Sequence, residues 1–408
     1  TTVPISAGLS SMYELIPAFA VKSRLPLKIF SGWAKLTFLT KAEATLTVES
    51  TTVHVGLAER SYDIHIGSDN LSVIGQLVHG LGDVSHAVII TDSNVRELYG
   101  ETVLKSLTQY DLQVDIMTVP AGESSKSVGI LEELWRQMLS LGADRKTVVV
   151  ALGGGVVGDL AGFVAASYGR GVRFVQIPTT LLATVDSSVG GKVGINLPDA
   201  KNMVGAFWQP QAVLIDVDVL QSLPARDYHA GLAEVVKYGV IQDEDFFNRL
   251  ENNVGLILER DAEFMRDVIA RCCELKAYVV ENDERETTGL RAILNYGHTF
   301  CHAIEACAGY GTYMHGEAVA IGMLCASRLA EALGRITADD TARQHDLLVQ
   351  FHLPTVLPQD LEREPMVEAM KRDKKTEHGK IRFILPSRIG HVELVDNVNE
   401  ALVLAAFS

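Results

Sequence analysis

The residues best suited to chemistry stand close together late in the chain. "NYGHTFCHAIE" (295–305) is followed by "YMHGEA" (313–318), so His298, His302 and His315 fall within one short segment of a chain with twelve histidines. On helical spacing His298 and His302 are four apart and share one face. That spacing often holds a divalent metal, and it equally suits two histidines satisfied in a core. A second chemical stretch, "LAEVVKYG" (232–239), puts Glu234 and Lys237 three apart among apolar residues. Both face inward if the flanking valines and alanine do, and buried charges need partners or a metal.

Glycine marks a third stretch. "GGGVVGD" (153–159) follows the apolar run "TVVVAL" (147–152), and Gly153, Gly155 and Gly158 satisfy GxGxxG. Between a strand and a helix, such glycines let backbone N–H groups approach a diphosphate, and the helix N-terminus favours negative charge. The alternative is a tight turn that needs glycine. The acid usual about 20 residues further on is absent. Asp92, in "TDSN" after the run 86–91, stands at the same kind of strand end and serves better as a ribose or adenine contact. "PAGESSK" (120–126) lies after the next strand. "TTLLATVDSSVGGKVGIN" (179–196) and "PDAKNMVG" (198–205) read as long polar connections whose hydroxyls, glycines and lysines suit a phosphate.

These pieces need elements to position them. "TTVHVGL" (51–57) and "SYDIHIG" (61–67) form a hairpin pattern. Apolar runs at 86–91, 112–120, 147–152, 172–178 and 212–217 then alternate with helical patterns at 95–109 and 128–142. That alternation predicts a largely parallel sheet with helices on both faces. After residue 225 the periodicity is helical, interrupted by one β-like run, "KIRFILP" (380–386). The predicted fold class is an α/β, Rossmann-like nucleotide-binding domain over 51–225, followed by a mostly α-helical metal- and substrate-binding domain over 226–408.

Composition bounds the alternatives. The 408 residues are 47% hydrophobic and 7% aromatic, as in a folded globular protein, and no stretch approaches a membrane-spanning run. A net charge of −15 argues against a general nucleic-acid surface. A local cation cluster can still hold a small anion, since distant charges are screened beyond about 8–10 Å. Five cysteines without a CxxC pair read as reduced thiols. Residues 1–50 stand apart as an N-terminal extension, disordered or targeting: the first forty carry four basic residues and one acid, rich in Ser and Thr.

From GGGVVGD through DSSVGGK, AEVVKYG, NYGHTFCHAIE and MHGEA, the chain resembles the 3-dehydroquinate synthases over about residues 50–395. The resemblance implies NAD and one divalent metal, zinc or cobalt, at one site. It implies Glu234, His298 and His315 as metal ligands, which displaces His302 from the spacing-based pair and makes it a phosphate-side histidine. Substrate contacts implied are Arg170, Asp186, Lys192, Asn202, Lys237 and Lys276. Arg291, Asn295, His302 and one of Lys374 and Lys375 complete that set. On the NAD side stand Asp92, Glu123, Lys126, Thr179 and Thr180, with Lys192 and Lys201. The turn Gly155, Val156, Val157, Gly158 and Asp159 joins them.

The implied reaction converts 3-deoxy-D-arabino-heptulosonate 7-phosphate to 3-dehydroquinate and phosphate. It proceeds by transient oxidation, phosphate elimination, re-reduction, ring opening and aldol closure. A homodimer and a cytoplasmic location are also implied, or a plastid if the extension is a transit peptide. The alternatives are a valiolone-type cyclase, whose family tends to replace the residues matching Arg291, Asn295 and His302, and a metal-dependent polyol dehydrogenase, which has no need of phosphate-directed lysines. A non-catalytic NAD-binding regulator is a third alternative, one that an intact metal triad and cation set argue against.

Overall fold

The structure, a computed structural model, describes residues 50–407 except 199, 310, 358–360 and 373–380. The N-terminal extension up to residue 49 and the pair Lys374 and Lys375 lie outside the described residues.

Seven strands form the main sheet: β1 (Thr51–Val55), β2 (Tyr62–Gly67), β3 (His86–Asp92), β4 (Gln113–Val119), β5 (Thr147–Gly153), β6 (Arg173–Pro178) and, later in the chain, β9 (Ala212–Asp216). Their order is β1-β2-β9-β6-β5-β3-β4. Only β1 is antiparallel to its neighbour; the other pairings are parallel. Parallel strands buried on both faces are near-continuously apolar, and the first six residues of β3 and all of β5 are buried, with His86, Thr91 and Thr147 the polar positions among them. Alternate side chains then serve opposite cores. Ala87 and Ile89 join Ile74, Val78 and Val103 on one face, while Val88 and Ile90 join Leu131, Leu160 and Val164 on the other.

The helices along this sheet are α1 (Ile74–Gly80), α2 (Ser93–Val95), α3 (Glu101–Thr108), α4 (Val128–Ser140) and α5 (Gly155–Ser167). The helix expected over 95–109 is interrupted by a π-helical turn at Arg96–Gly100 between α2 and α3.

The polar connections expected over 179–205 are partly a correction. Lys192–Leu197 (β7) and Ala200–Phe207 (β8) form an antiparallel hairpin. Its glycines and polar residues hide the two apolar side chains that anchor it. Val193 and Ile195, two apart, are buried against α5.

The rest is helical: α6 (Ala225–Gln242), α7 (Glu244–Asn252), α8 (Val254–Leu258), α9 (Ala262–Asn282), α10 (His298–Ala308), α11 (His315–Ala332), α12 (Ala338–Gln350), α13 (Arg363–Arg372) and α14 (Glu400–Ala406). The late β-like run becomes a small hairpin, β10 (Phe383–Arg388) with β11 (His391–Val395). From Tyr228 to Ile241 only one residue of α6, His229, is not buried, which marks it as the axis of this half. Its core also takes in Ile64, Ile66, Val213 and Ile215 of the sheet. Among the described residues no helix is long and apolar enough to cross a membrane.

Two glycines let the central helices close up. A Cβ on Gly316 would overlap the Ala230 carbonyl of α6, and one on Gly322 would overlap the Gly297 carbonyl before α10. Gly316→Ala should therefore force α6 and α11 apart and cost about 1–3 kcal/mol, the usual penalty of overpacking. A drop in the chemical-denaturation midpoint measures it; an unchanged midpoint contradicts this packing.

Candidate active site

Glu234 lies in the middle of α6, 1% exposed. Neither of its carboxylate oxygens finds a donor in hydrogen-bond geometry among the described residues. Lys237, 2% exposed and one turn on, forms an ion pair with Oε2. Oε1 faces two imidazoles, with His298 Nε2 at 3.6 Å and His315 Nε2 at 3.7 Å. The ligand atoms of Glu234, His298 and His315 all lie within 4.8 Å of one another. Donors bound to one zinc at about 2.0–2.2 Å stand roughly 3.3 Å apart in a tetrahedral shell, so these three fit a divalent ion with little movement. Two neutral imidazoles and a carboxylate are also a chemically sound donor set with positions left open.

Local structure fixes each ligand. His298 is the first residue of α10, after Gly297 in a left-handed conformation (φ 77°). Its Nδ1 lies 3.1 Å from the Tyr296 carbonyl, which can only accept, so Nδ1 carries the proton and Nε2 keeps its lone pair. His315 opens α11. There the Glu317 carboxylate accepts from the Met314 N–H at 2.9 Å and takes both Arg226 Nε (2.7 Å) and a second guanidinium nitrogen (2.8 Å). Arg226 stands at the start of α6, so the first turns of α6 and α11 are clamped together. His302 is not one of the three convergent ligands. Its ring meets that of His298 edge-on at 5.8 Å. Of the pair read from helical spacing, only His298 joins the convergent set; the third member, His315, comes from the next helix.

A second buried group adjoins the first. Lys276 of α9 donates to Asp186 Oδ1 at 2.8 Å and to the Asp186 carbonyl at 2.5 Å. Tyr238 OH donates to the same Oδ1 at 2.8 Å. Burial alone would raise the Asp186 carboxyl, but the Lys276 and Lys237 ammonium groups outweigh it and hold the acid well below the usual carboxylate range. Burial pushes the Lys276 ammonium down, against the pull of Asp186.

The nucleotide-side residues gather at the carboxyl ends of the strands. The turn 153–155 is a cradle: a Cβ on Gly154 would stand 2.9 Å from Thr180 Cγ2, and one on Gly155 3.1 Å from Ser187 Oγ. α5 then begins at Gly155 with its free N–H groups, and the buried Thr179 hydroxyl beside it has no hydrogen-bond partner among the described residues. Val156, Val157 and Gly158 continue that first turn into Asp159. Lys126 donates to Asp159 at 2.7 Å and to Asn202 at 2.5 Å, and lies 3.7 Å from Glu123. Asp92 caps α2 by accepting from the Asn94 and Val95 N–H groups. A cradle, an orphaned hydroxyl and a helix N-terminus fit a dinucleotide diphosphate.

Not every expected residue joins where its role implies. Asn202, expected on the substrate side, sits with Lys126. Lys201 instead reaches Glu305, 3.5 Å away. Lys192 forms an ion pair with Glu286, whose carboxylate also lies 3.9 Å from Arg291. Arg291, buried, donates to the Glu284 carbonyl (2.7 Å) and the Gly190 carbonyl (3.2 Å), holding the loop before β7. Asn295, half-buried, ends the short 3-10 helix before His298. Arg170 is exposed at the far end of α5, about 20 Å along the helix from the glycine turn. Glu286, Glu305 and Tyr238 were not legible as site residues. Glu305 had a signal, since it follows His298 by seven and His302 by three on one helix face. Glu286 sits in a loop and had none.

Because its folded pKa is depressed, Asp186 contributes stability that is fully present above its unfolded value of about 3.9 and is lost as pH falls below it. Asp186→Asn should lower stability at neutral pH by about 3 kcal/mol, as loss of one partner from a buried pair does. It should also lose less than the parent between neutral pH and pH about 3. Denaturation midpoints at the two pH values check this, and equal acid slopes contradict it.

A family model for the 3-dehydroquinate synthase N-terminal domain matches residues 116–230, and one for the 3-dehydroquinate synthase C-terminal domain matches residues 231–376. The 3-dehydroquinate synthase of Rhodopirellula baltica is 51% identical over 361 residues, covering 87% of this chain and 96% of its own. Two solved structures share the architecture. A 2-deoxy-scyllo-inosose synthase complexed with carbaglucose-6-phosphate, NAD+ and Co2+ superposes with a TM-score of 0.80 at 27% identity, covering 88% of this chain and 99% of that one. The 2-epi-5-epi-valiolone synthase of Streptomyces hygroscopicus subsp. jinggangensis, with NAD+ and Zn2+ bound, gives 0.77 at 31% identity, covering 86% and 97%. With both halves matched and half of the residues identical over nearly a relative's whole length, the chain belongs to the 3-dehydroquinate synthase family.

Proposed function

We propose that this chain converts 3-deoxy-D-arabino-heptulosonate 7-phosphate to 3-dehydroquinate and phosphate, as a carbon–oxygen lyase dependent on NAD and a divalent metal. The observation that carries the reading is the contact between two buried groups: the Glu234, His298 and His315 donors adjoin, through Lys237, the Asp186–Lys276 pair. A donor set for a cation thus shares one buried site with ammonium groups suited to an anionic sugar. The boundary between the nucleotide-binding and the metal- and substrate-binding halves falls at residue 225 in this reading.

When bound, NAD supplies a hydride acceptor and donor, and the divalent ion supplies a Lewis acid. Glu234, His298 and His315 would hold the ion. The Gly155–Asp159 turn, Thr179, Thr180, Asp92 and Lys126 would hold NAD. Lys192, Lys237, Lys276 and Arg291 neutralise the substrate's carboxylate and phosphate, and the guanidinium of Arg291 has the shape for either. Asp186 stays ionised through neutral pH and pulls the Lys276 ammonium against the burial that lowers it. His302, whose ring meets that of His298 at 5.8 Å, would take the phosphate side.

Arg170 is exposed at the far end of α5, and we propose that it serves the site of a second copy rather than its own. A homodimer reconciles its substrate role with its position. The cytoplasm is the compartment that suits five free thiols.

The test is phosphate release with NAD supplied well below the substrate. Phosphate and 3-dehydroquinate should appear in equal amounts over many turnovers without NADH accumulating. His298→Ala and His315→Ala should lose both metal and turnover, while His302→Ala keeps the metal and slows turnover. NADH building up one for one with substrate loss would instead mark a polyol dehydrogenase.

A further inference from the structure

Behind His315, on the side away from Glu234, lies a carboxylate that none of the roles above uses. Glu305 of α10 is 8% exposed. Its Oε1 is 3.7 Å from His315 Nδ1 and 3.5 Å from Lys201 Nζ. Its Oε2 faces the buried thiol of Cys301, one helical turn earlier, at 3.8 Å. His315 is therefore held between two carboxylates, with Nε2 toward Glu234 and Nδ1 toward Glu305, each at 3.7 Å.

The two ring nitrogens cannot play the same part. A metal ligand needs a lone pair on Nε2, so the proton of the neutral ring must sit on Nδ1. A proton there is stabilised only if an acceptor faces it. His298 solves this with the Tyr296 carbonyl. His315 sits at the start of a helix, where the described structure offers its Nδ1 no backbone carbonyl in hydrogen-bond geometry. Two groups face Nδ1 there: the Cys301 sulfur at 3.9 Å, a weak acceptor, and the Glu305 carboxylate at 3.7 Å, an ion-pair contact that a small turn of either side chain brings into hydrogen-bond range and that is the stronger acceptor of the two. Lys201 Nζ, 3.5 Å from the same carboxylate oxygen, gives the partly enclosed Glu305 a second cationic neighbour. Lys201 also belongs to β8, whose next residue, Asn202, touches Lys126 on the nucleotide side. One carboxylate thus joins a metal ligand to the hairpin that borders the cofactor cradle.

We propose that Glu305 is a positioning residue for the metal: it fixes the tautomer and ring orientation of His315 and ties that ligand, through Lys201, to the β7–β8 hairpin. The inference rests on the reading of Glu234, His298 and His315 as the metal ligands. Its test is metal binding to the full chain stripped of metal, using Zn2+ in competition with a chelator and the visible absorption of bound Co2+. Glu305→Ala should weaken both metals about 10–100-fold, the usual effect of removing the partner of a ligating histidine, and should change the Co2+ spectrum. Glu305→Gln keeps an acceptor oxygen for the Nδ1 proton and should lose less.

Wild-type affinity and an unchanged Co2+ spectrum in Glu305→Ala overturn the proposal, provided His298→Ala loses the metal. If His298→Ala and His315→Ala also bind as tightly as the parent, the ligand assignment itself has failed. The spectrum separates positioning from general stability, because a residue that only supports the fold leaves the coordination geometry of the bound ion unchanged.

Discussion

The fold is organised around a carboxylate buried to 1% exposure. Glu234 is central in a helix buried on nearly every side, and removing a carboxylate from water costs several kcal/mol unless charge and donors replace the lost hydration. Lys237 supplies one charge. What remains is an oxygen with two imidazole nitrogens nearby and no hydrogen bond. A native structure keeps such an atom where it has a use. In the proposed function that use is to hold a cation, and the surrounding helices bring His298 and His315 to the same point.

That constraint propagates outward as alternating charge. Lys237 lies between Glu234 and Asp186, and Asp186 between Lys237 and Lys276. On the other side, His315 leads to Glu305 and then Lys201. After the Glu234–Lys237 pair within α6, the steps run through the turn after β6, α9, α11, α10 and the β7–β8 hairpin. Helices that share a chain of buried charges cannot slide past one another without breaking a pair. The Arg226–Glu317 clamp and the glycine contacts of α11 fix the same geometry by hydrogen bonding and sterics.

Much of this was legible in the sequence where one physical rule dominates. Apolar runs in β3 and β5 predicted buried parallel strands because both faces of such a strand are covered. The glycine turn stood out because backbone approach to a diphosphate tolerates no side chain. The β7–β8 hairpin was missed because two buried residues, Val193 and Ile195, were outweighed by glycine, serine and lysine around them. The His298–His302 spacing reported a shared helix face and nothing about α11, so His315 entered only through family resemblance. Glu286 and the exposed position of Arg170 depend on loop paths that no periodicity encodes. The contact of Asn202 with Lys126 depends on the same hairpin and had no signal in the sequence.

The account stands on which atoms hold the cation, and anomalous diffraction from crystals of the zinc-loaded chain measures that directly. It predicts a zinc peak about 2.0–2.2 Å from a Glu234 oxygen and from Nε2 of both His298 and His315, with His302 outside the coordination shell. A peak bonded to His302, or one that leaves Glu234 without a metal contact, would contradict it.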